Sequence, residues 1–561
     1  MRHLTKNRMP LPILFILLLL TQYGFSQDVD QRSSYPALNI KYPKHLKIDH
    51  ALFKLWQIYR TQGIEKAREY AQYKPSVNLS DHRVRVEVLA ALPSVKTQSL
   101  PSRGLAYHIT AMGGKVELRH RSIYQCLIPL AVVNDVATMA QVAYIKLPLK
   151  AHLHTISEGV KFSGADKLQP LSPFRKGRTA RVGVLDLGFQ DYQTLLGSEL
   201  PSDTEARSFR QDGDLTGGGI SHGSACAEIV HDMAPDAKIY LANFNTLYEI
   251  YSALSWFESQ DVNIITCSIG WYNAGAGDGT GPITEAVKQA KNLGMQWVNS
   301  AGNDAMTHWE GLFSDSNKDG YMDFGSDDIF EFKMPAYQPV QVLMNWDDWG
   351  TWNGSSYPGS SNDYDLYLYY YDTTAQDWVQ VDSSENPQNG IPGHWPVESI
   401  TDWSKSKTTT WGVKIKRNAG AQNKKIELFF DFNYTYDMEF TVSEGSLTIP
   451  ADSADVVAVG AIPWEEGYKD YYYPYSGRGP TADGRLKPDL TAASGVSNQT
   501  YGTFYGTSAS APHAAGAMAL LYNKTPFSLE QIVELLFARA DDWGQLGQDL
   551  IFGIGKLDLD E

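Results

Sequence analysis

The chain has 561 residues, which at roughly 150 residues per domain predicts three or four folded units. Lysine and arginine total 48 and aspartate and glutamate total 64, so the formal net charge is −16, and this excludes a nucleic-acid-binding protein that works through a broad basic surface. Hydrophobic residues make up 43 % and charged residues 20 %, which excludes a largely disordered chain. The 3 cysteines cannot form a disulfide framework.

Residues 1–26 have the pattern of a signal peptide. A basic segment precedes the apolar run 12–20, and the small residues Gly24 and Ser26 suit a cleavage site. The alternative is a membrane anchor, but the run is shorter than the roughly 20 apolar residues that span a bilayer. We therefore expect a secreted or periplasmic protein that has no membrane segment once the signal is removed.

Residues 27–150 read as a small α+β module. Helical spacing of apolar residues predicts a helix over 52–74, and alternation predicts a strand over 84–92. The segments that follow complete the order strand–helix–strand–strand–helix–strand, which is typical of a split βαβ module.

Residues 151–180 read as a linker, and an α/β pattern follows it. Apolar runs of the kind found in buried parallel strands alternate with predicted helices, the first at 222–232. From 306 to 446 the chain is rich in Tyr, Trp and Asp with alternating runs, which predicts an inserted β-sandwich-like module. The fold class is thus a doubly wound, mostly parallel α/β sheet over 151–305 and 447–561, interrupted by this module.

Three residues in the α/β part have the chemistry of a nucleophilic site. Asp186 ends a predicted strand, His222 begins a helix, and Ser508 begins the last long helix. A serine hydroxyl becomes a nucleophile when an imidazole removes its proton, and the imidazole needs a carboxylate that fixes its tautomer. Each residue alone is more often a turn former, a surface group or a helix cap, so the prediction depends on their joint occurrence in the order Asp, His, Ser.

Six ordered segments resemble the sequence blocks of the subtilisin-like serine peptidases, the subtilases: VGVLDLGF, SHGSA, TCSIG, SAGN, YSGRGPTADGRLKPDL and GTSASAPHAAG. The resemblance implies that Asp186 orients His222, that His222 acts as general base and then general acid, and that Ser508 attacks the scissile carbonyl. It further implies that Asn303 donates its amide to the oxyanion.

By the same resemblance, Ser268, Ile269 and Gly270 form an edge that pairs with an extended substrate. The sequence also departs from the family pattern. The second histidine of the His-Gly-Thr-His block is replaced by Ala225, and the usual Met after the nucleophile is Ala509. These departures remove no proton-transfer group, but they leave the substrate preference open.

The first module resembles the inhibitory pro-domain of subtilases. We therefore expect it to act as an intramolecular inhibitor until the chain is cut within residues 150–180. A permanently attached accessory domain is the alternative.

An acidic stretch predicts a structural calcium site, although the proposed chemistry needs no cofactor. The loop positions of a calcium-binding motif are occupied by Asp315, Asn317, Asp319, the carbonyl of Tyr321, and Asp323. Ser326 stands where a bidentate Glu is expected, so an acidic, solvated turn is the alternative.

The sequence therefore predicts a secreted serine endopeptidase that acts on polypeptides. Two alternatives remain open: a non-catalytic binding protein on a subtilase scaffold, and a sedolisin-like serine-carboxyl peptidase that uses Glu228 and Asp232. His513 and Cys226 are interpreted as packing residues, and His308 has no partner that the sequence reveals.

Overall fold

The computed structural model describes residues 47–72, 79–80, 82–91, 104–120, 122–147, 155–171, 176–431, 437–465, 468–522 and 527–560. The predicted signal peptide, residues 1–26, lies outside these ranges. The chain divides into two compact units, of which one spans 26–153 and the other contains 154–561. Among the helices that the structure describes, none is both long and apolar enough to cross a membrane.

The unit of residues 26–153 is an α+β module, as predicted. Its four longer strands form an antiparallel sheet in the order Lys115–His120 (β3), Ile123–Pro129 (β4), Arg83–Ala90 (β2) and Val142–Lys146 (β5). Val84, Val86 and Val88 of β2 point into the core. Gly63 adopts a φ of 88°, which a residue with a side chain rarely adopts, so the single helix predicted over 52–74 is two helices. The elements are α1 His50–Gln62, α2 Ile64–Gln72, β1 Leu79–Ser80, β2 Arg83–Ala90, α3 Leu105–Ala111, β3 Lys115–His120, β4 Ile123–Pro129, α4 Val133–Thr138 and β5 Val142–Lys146.

In its described residues, the unit that contains residues 154–561 combines a seven-stranded parallel sheet with two four-stranded antiparallel sheets and one two-stranded antiparallel sheet. Its elements are α5 Glu158–Phe162, α6 Ala165–Leu168, β6 Arg181–Asp186, β7 Glu205–Ser208, α7 His222–Met233, β8 Lys238–Asn243, α8 Leu247–Ser259, β9 Ile264–Cys267, α9 Pro282–Asn292, β10 Gln296–Ser300, β11 His308–Leu312, β12 Phe330–Met334, β13 Pro339–Trp346, β14 Tyr364–Asp372, β15 Asp377–Ser384, β16 Val397–Trp403, β17 Thr409–Arg417, β18 Lys425–Phe430, β19 Val456–Pro463, β20 Leu490–Ser494, β21 Val496–Asn498, β22 Gly502–Phe504, α10 Thr507–Leu521 and α11 Leu529–Arg539.

Seven strands of the described chain form the parallel sheet in the order β20-β19-β10-β9-β6-β8-β7. Successive residues of β6 are buried on both faces: Val184 packs in the core that contains α7 and α10, and Leu185 in the core that contains α8 and α9. Helices therefore cover both faces, which confirms the doubly wound fold. Because β6 lies between β8 and β9, its carboxyl end is where such sheets place their sites.

The prediction of a linker over 151–180 is wrong for residues 155–171, which the structure describes. This stretch forms α5 and α6, and Val160 and Leu168 are buried in the core of the parallel sheet. Because glycines and polar residues are scattered through this stretch, its sequence does not predict the two short helices. Each helix contributes apolar side chains to the core.

The inserted module consists of antiparallel strands, as predicted. One sheet has the order β11-β18-β13-β16 and the other β12-β17-β14-β15. Both sheets contribute to a single apolar core that includes Phe330, Trp346, Trp411 and Phe430. The alternation that the sequence showed is the alternation between this core and the outer faces.

Candidate active site

Asp186 and His222 form a buried hydrogen-bonded pair at the carboxyl end of the central strand β6. His222 Nδ1 lies 2.7 Å from Asp186 Oδ2, and the two residues are 4 % and 0 % exposed. The backbone N–H of Leu187 donates to the other carboxylate oxygen over 2.8 Å. A Cβ atom at Gly223 would lie 2.8 Å from that of Asp186, so the glycine of the SHG segment lets α7 begin this close to β6.

The environment of His222 favours the protonated ring. Burial lowers the pKa of the imidazole, but the Asp186 carboxylate outweighs burial and raises the pKa well above its ordinary value. Because a carboxylate only accepts, Nδ1 carries the proton and Nε2 is left for chemistry.

Ser508 lies in the first turn of α10, close to this pair. Its backbone carbonyl accepts a hydrogen bond from Ser268 Oγ over 3.1 Å, and Cys226 Sγ lies 3.6 Å from the same oxygen. Cys226 Sγ is also 4.0 Å from His222 Nδ1, so a single thiol contacts both the ring and the backbone of Ser508. The Ser508 hydroxyl makes no hydrogen bond to His222 or to any other residue in the described ranges.

Asn303 follows β10 and is held by Thr507. Its Oδ1 atom accepts from the Thr507 backbone N–H over 2.9 Å and from the Thr507 hydroxyl over 3.0 Å, which leaves the Nδ2 donors to point elsewhere. A Cβ atom at Gly506 would lie 3.3 Å from Asn303 Nδ2, 3.5 Å from Asn303 Oδ1 and 3.6 Å from Ser508 N. Two N–H donors therefore border the space above Gly506, an arrangement that can stabilise a negatively charged oxygen.

Ser268, Ile269 and Gly270 lie directly after β9, at the same edge of the sheet. The Ile269 carbonyl accepts from Asn299 Nδ2 over 3.1 Å, and a Cβ atom at Gly270 would lie 2.3 Å from Thr448 Oγ1. The next residue, Trp271, already pairs with Ile449 in an antiparallel bridge.

Glu228 and Asp232, the residues of the carboxyl-peptidase alternative, lie apart from the Asp186–His222 pair. Glu228 accepts from the backbone N–H of Gln499 over 2.8 Å, and Asp232 from that of Ser157 over 2.8 Å. Burial raises the pKa of Glu228 to about 7 and that of Asp232 to about 8. Both carboxyl groups tie chain segments together, which is a structural role.

A second serine–histidine pair also has a structural explanation. Ser157 Oγ lies 2.7 Å from His513 Nε2, and His513 Nδ1 lies 2.7 Å from the Ala509 carbonyl. The two residues are 1 % and 0 % exposed, and a carbonyl takes the place of a carboxylate. Burial lowers the pKa of His513 to about 4. This pair packs α5 against α10 and offers no access to a substrate, in agreement with the interpretation of His513.

The predicted calcium loop is folded back on itself. Asp315 accepts from the backbone N–H groups of Asp319 and Gly320 over 3.1 Å each, and its Oδ2 atom lies 3.7 Å from Arg417 Nη2. Asp323 accepts from the Ser316 N–H over 2.8 Å. In the described chain these carboxylates are not among the groups of three acidic, histidine or cysteine side chains close enough to share an ion. Calcium binding at this loop stays a prediction.

Two contacts of the site are not evident from the sequence. The Phe504 ring packs edge-on against His222, with 5.6 Å between ring centroids, and Tyr272 donates to Asp304 over 2.8 Å directly behind Asn303. For the hydrogen bonds that hold Asn303, the sequence offered one signal, the Thr before Ser508 in the GTS segment.

Known proteins resemble this chain in sequence family and in fold. The model of the subtilase family matches residues 177–327 and 420–555, just over half of the chain. The Clostridium perfringens CspB protease structure is similar at 15 % identity with a TM-score of 0.50, over 72 % of this chain and 97 % of that one. A cold-adapted subtilisin-like serine proteinase is similar at 14 % identity with a TM-score of 0.34, over 69 % and 91 %. The unmatched residues 328–419 lie within the inserted module.

Proposed function

The chain belongs to the subtilase family of serine peptidases, and from this premise we propose that it is a secreted endopeptidase that cleaves polypeptides through an acyl-enzyme at Ser508. The observation that carries the proposal is the buried 2.7 Å pair of His222 and Asp186 at the carboxyl end of the central strand. A binding protein built on the same scaffold has no need of this pair, because a buried carboxylate is costly unless a partner compensates it.

The reaction begins with proton transfer from the Ser508 hydroxyl to His222 Nε2. Ser508 Oγ then bonds to the carbonyl carbon of the substrate, and the negative charge moves to the carbonyl oxygen. Asn303 Nδ2 and the Ser508 backbone N–H donate to that oxygen, and Asp186 stabilises the imidazolium. The imidazolium returns its proton to the leaving amine, and water hydrolyses the acyl-enzyme in a second round of the same steps.

The α+β unit of residues 27–150 is proposed to be an inhibitory pro-domain, and residues 1–26 to direct secretion. The contacts of Ser157 and Val160 with the catalytic fold support a cut between residues 150 and 157, because a cut there leaves those contacts in the mature protein.

A fluorophosphonate probe tests the nucleophile. We expect labelling of the processed wild type and no labelling of Ser508→Ala, whereas Ser157→Ala and Ser510→Ala serve as matched controls and keep the label. A processed wild type that takes no label supports the binding-protein alternative. Label that persists in Ser508→Ala would place the nucleophile at another serine.

A further inference from the structure

A second group of ligand-type side chains lies on the inserted module, on strands β11 and β18. His308, Glu310 and Glu427 each offer one ligand atom, and these atoms all lie within 4.8 Å of one another. The register places Glu310 directly opposite Glu427. Two carboxylates in direct cross-strand register repel each other, so a nearby cation stabilises the arrangement, and Lys425 Nζ, 2.6 Å from Glu310 Oε2, is one such cation.

The hydrogen bonds of His308 show where such a cation would sit. His308 is fully buried, and its Nδ1 atom lies 2.6 Å from the Val442 carbonyl. A carbonyl only accepts, so Nδ1 carries the proton. Nε2 lies 3.2 Å from Glu427 Oε1, which is an acceptor, and in the neutral ring Nε2 is an acceptor as well. Two acceptors at this distance require a proton or a metal ion between or beside them.

We propose that His308 Nε2, Glu427 Oε1 and Glu310 Oε1 bind one divalent metal ion of the zinc class. Zinc lies about 2.0–2.2 Å from nitrogen and oxygen ligands, which puts neighbouring ligands of a tetrahedral site about 3.4 Å apart, close to the observed 3.2 Å between Nε2 and Oε1. A nitrogen ligand favours zinc over calcium or magnesium, which prefer oxygen.

Supporting hydrogen bonds already surround the ligands. The Val442 carbonyl fixes the His308 tautomer, and Asn345 Nδ2 donates to Glu427 Oε2. Metal-binding histidines and carboxylates have such partners. Lys425 Nζ lies 2.6 Å from Glu310 Oε2 but is half exposed, and it leaves Glu310 Oε1 without a hydrogen bond among the described residues.

The test measures Zn²⁺ binding to metal-free protein by titration calorimetry and by metal analysis after dialysis. It is run on wild type and on Ser508→Ala, so that its result does not depend on peptidase activity. We expect one equivalent in both, and a higher unfolding temperature with Zn²⁺. Glu310→Gln and Glu427→Gln are expected to lose this equivalent, whereas Asn345→Ala weakens binding by about 10–100-fold. Glu331→Gln, a matched change on β12, leaves binding unchanged.

Glu310→Gln is the decisive variant, because Glu310 is only partly buried and the change removes a ligand without removing a core side chain. Zn²⁺ that stays bound in both glutamine variants, for example at the Asp186–His222–Cys226 group, overturns the proposal. A wild type that retains no Zn²⁺ overturns it as well, and an imidazolium at His308 seen by ¹⁵N NMR would then identify a proton as the buried cation.

Discussion

Replacing Asn303 with alanine isolates the side-chain donor of the proposed oxyanion site. The variant removes Nδ2, which borders the space above Gly506 together with the Ser508 N–H. Losing one such donor costs about 2.7–4 kcal/mol, or about 10²–10³-fold in kcat. Because the charge on the carbonyl oxygen develops only in the transition state, we expect KM to stay nearly constant.

A second variant, Thr507→Val, tests the hydrogen bond that holds Asn303 in place rather than the Asn303 donor itself. Thr507→Val keeps the backbone N–H that holds Asn303 Oδ1 and removes the hydroxyl at 3.0 Å, which is also 3.2 Å from the Gly302 carbonyl. One neutral hydrogen bond is worth about 0.5–1.5 kcal/mol, so kcat should fall by about 2–12-fold.

Steady-state kinetics on a peptide amide, with unfolding temperatures as the control for folding, provide the measurement. The reasoning is refuted if Asn303→Ala lowers kcat less than Thr507→Val does. It is equally refuted if Asn303→Ala raises KM and leaves kcat unchanged, because the amide would then bind the ground state.

Four further predictions follow from the site and its surroundings. Because the pKa of His222 is raised, kcat/KM should increase with pH through an apparent pKa above 6.5, and an optimum in acid would contradict the histidine mechanism. If the acidic loop binds calcium, chelation should lower the unfolding temperature of wild type but not that of Asp319→Asn; an equal response in both would exclude this loop. N-terminal sequencing of the secreted protein should find a new terminus between 150 and 157 that Ser508→Ala lacks, and cleavage in both would indicate another protease. Gly159→Ala would place a Cβ atom 2.0 Å from His513 Nε2, so we expect a loss of about 1–3 kcal/mol in the free energy of unfolding, measured with denaturant; an unchanged value would refute the packing described.

The fold could be predicted because its signals are local. Continuous apolar runs gave the buried parallel strands, and alternation gave the antiparallel module. The break at Gly63 depends on a positive φ, and the burial of Val160 depends on a distant helix, so neither has a signature in a short window.

The candidate site divides in the same way. Distinctive sequence segments contain Asp186, His222 and Ser508, so these residues could be predicted. The hydrogen bond from Thr507 to Asn303 joins residues 204 positions apart, and no local pattern predicts it. His308 and Glu427 are 119 positions apart, and only the sheet register brings them together. In the predicted calcium loop, Asp315 and Asp323 accept from backbone N–H groups, contacts that the spacing of the motif does not predict.

The route by which the sandwich joins the parallel sheet limits what the sandwich can do. The chain passes from Asn303 to the first residue of β11 in five steps, a reach of at most about 18 Å. The segment that leads into the sandwich and the segment that leads out of it are hydrogen-bonded to each other. Ser443 Oγ donates to the Ala305 carbonyl, and the Val442 N–H donates to the His308 carbonyl. The sandwich therefore cannot move far from the parallel sheet to bind a protein at a distance. A displacement of the sandwich would also shift the side-chain amide of Asn303.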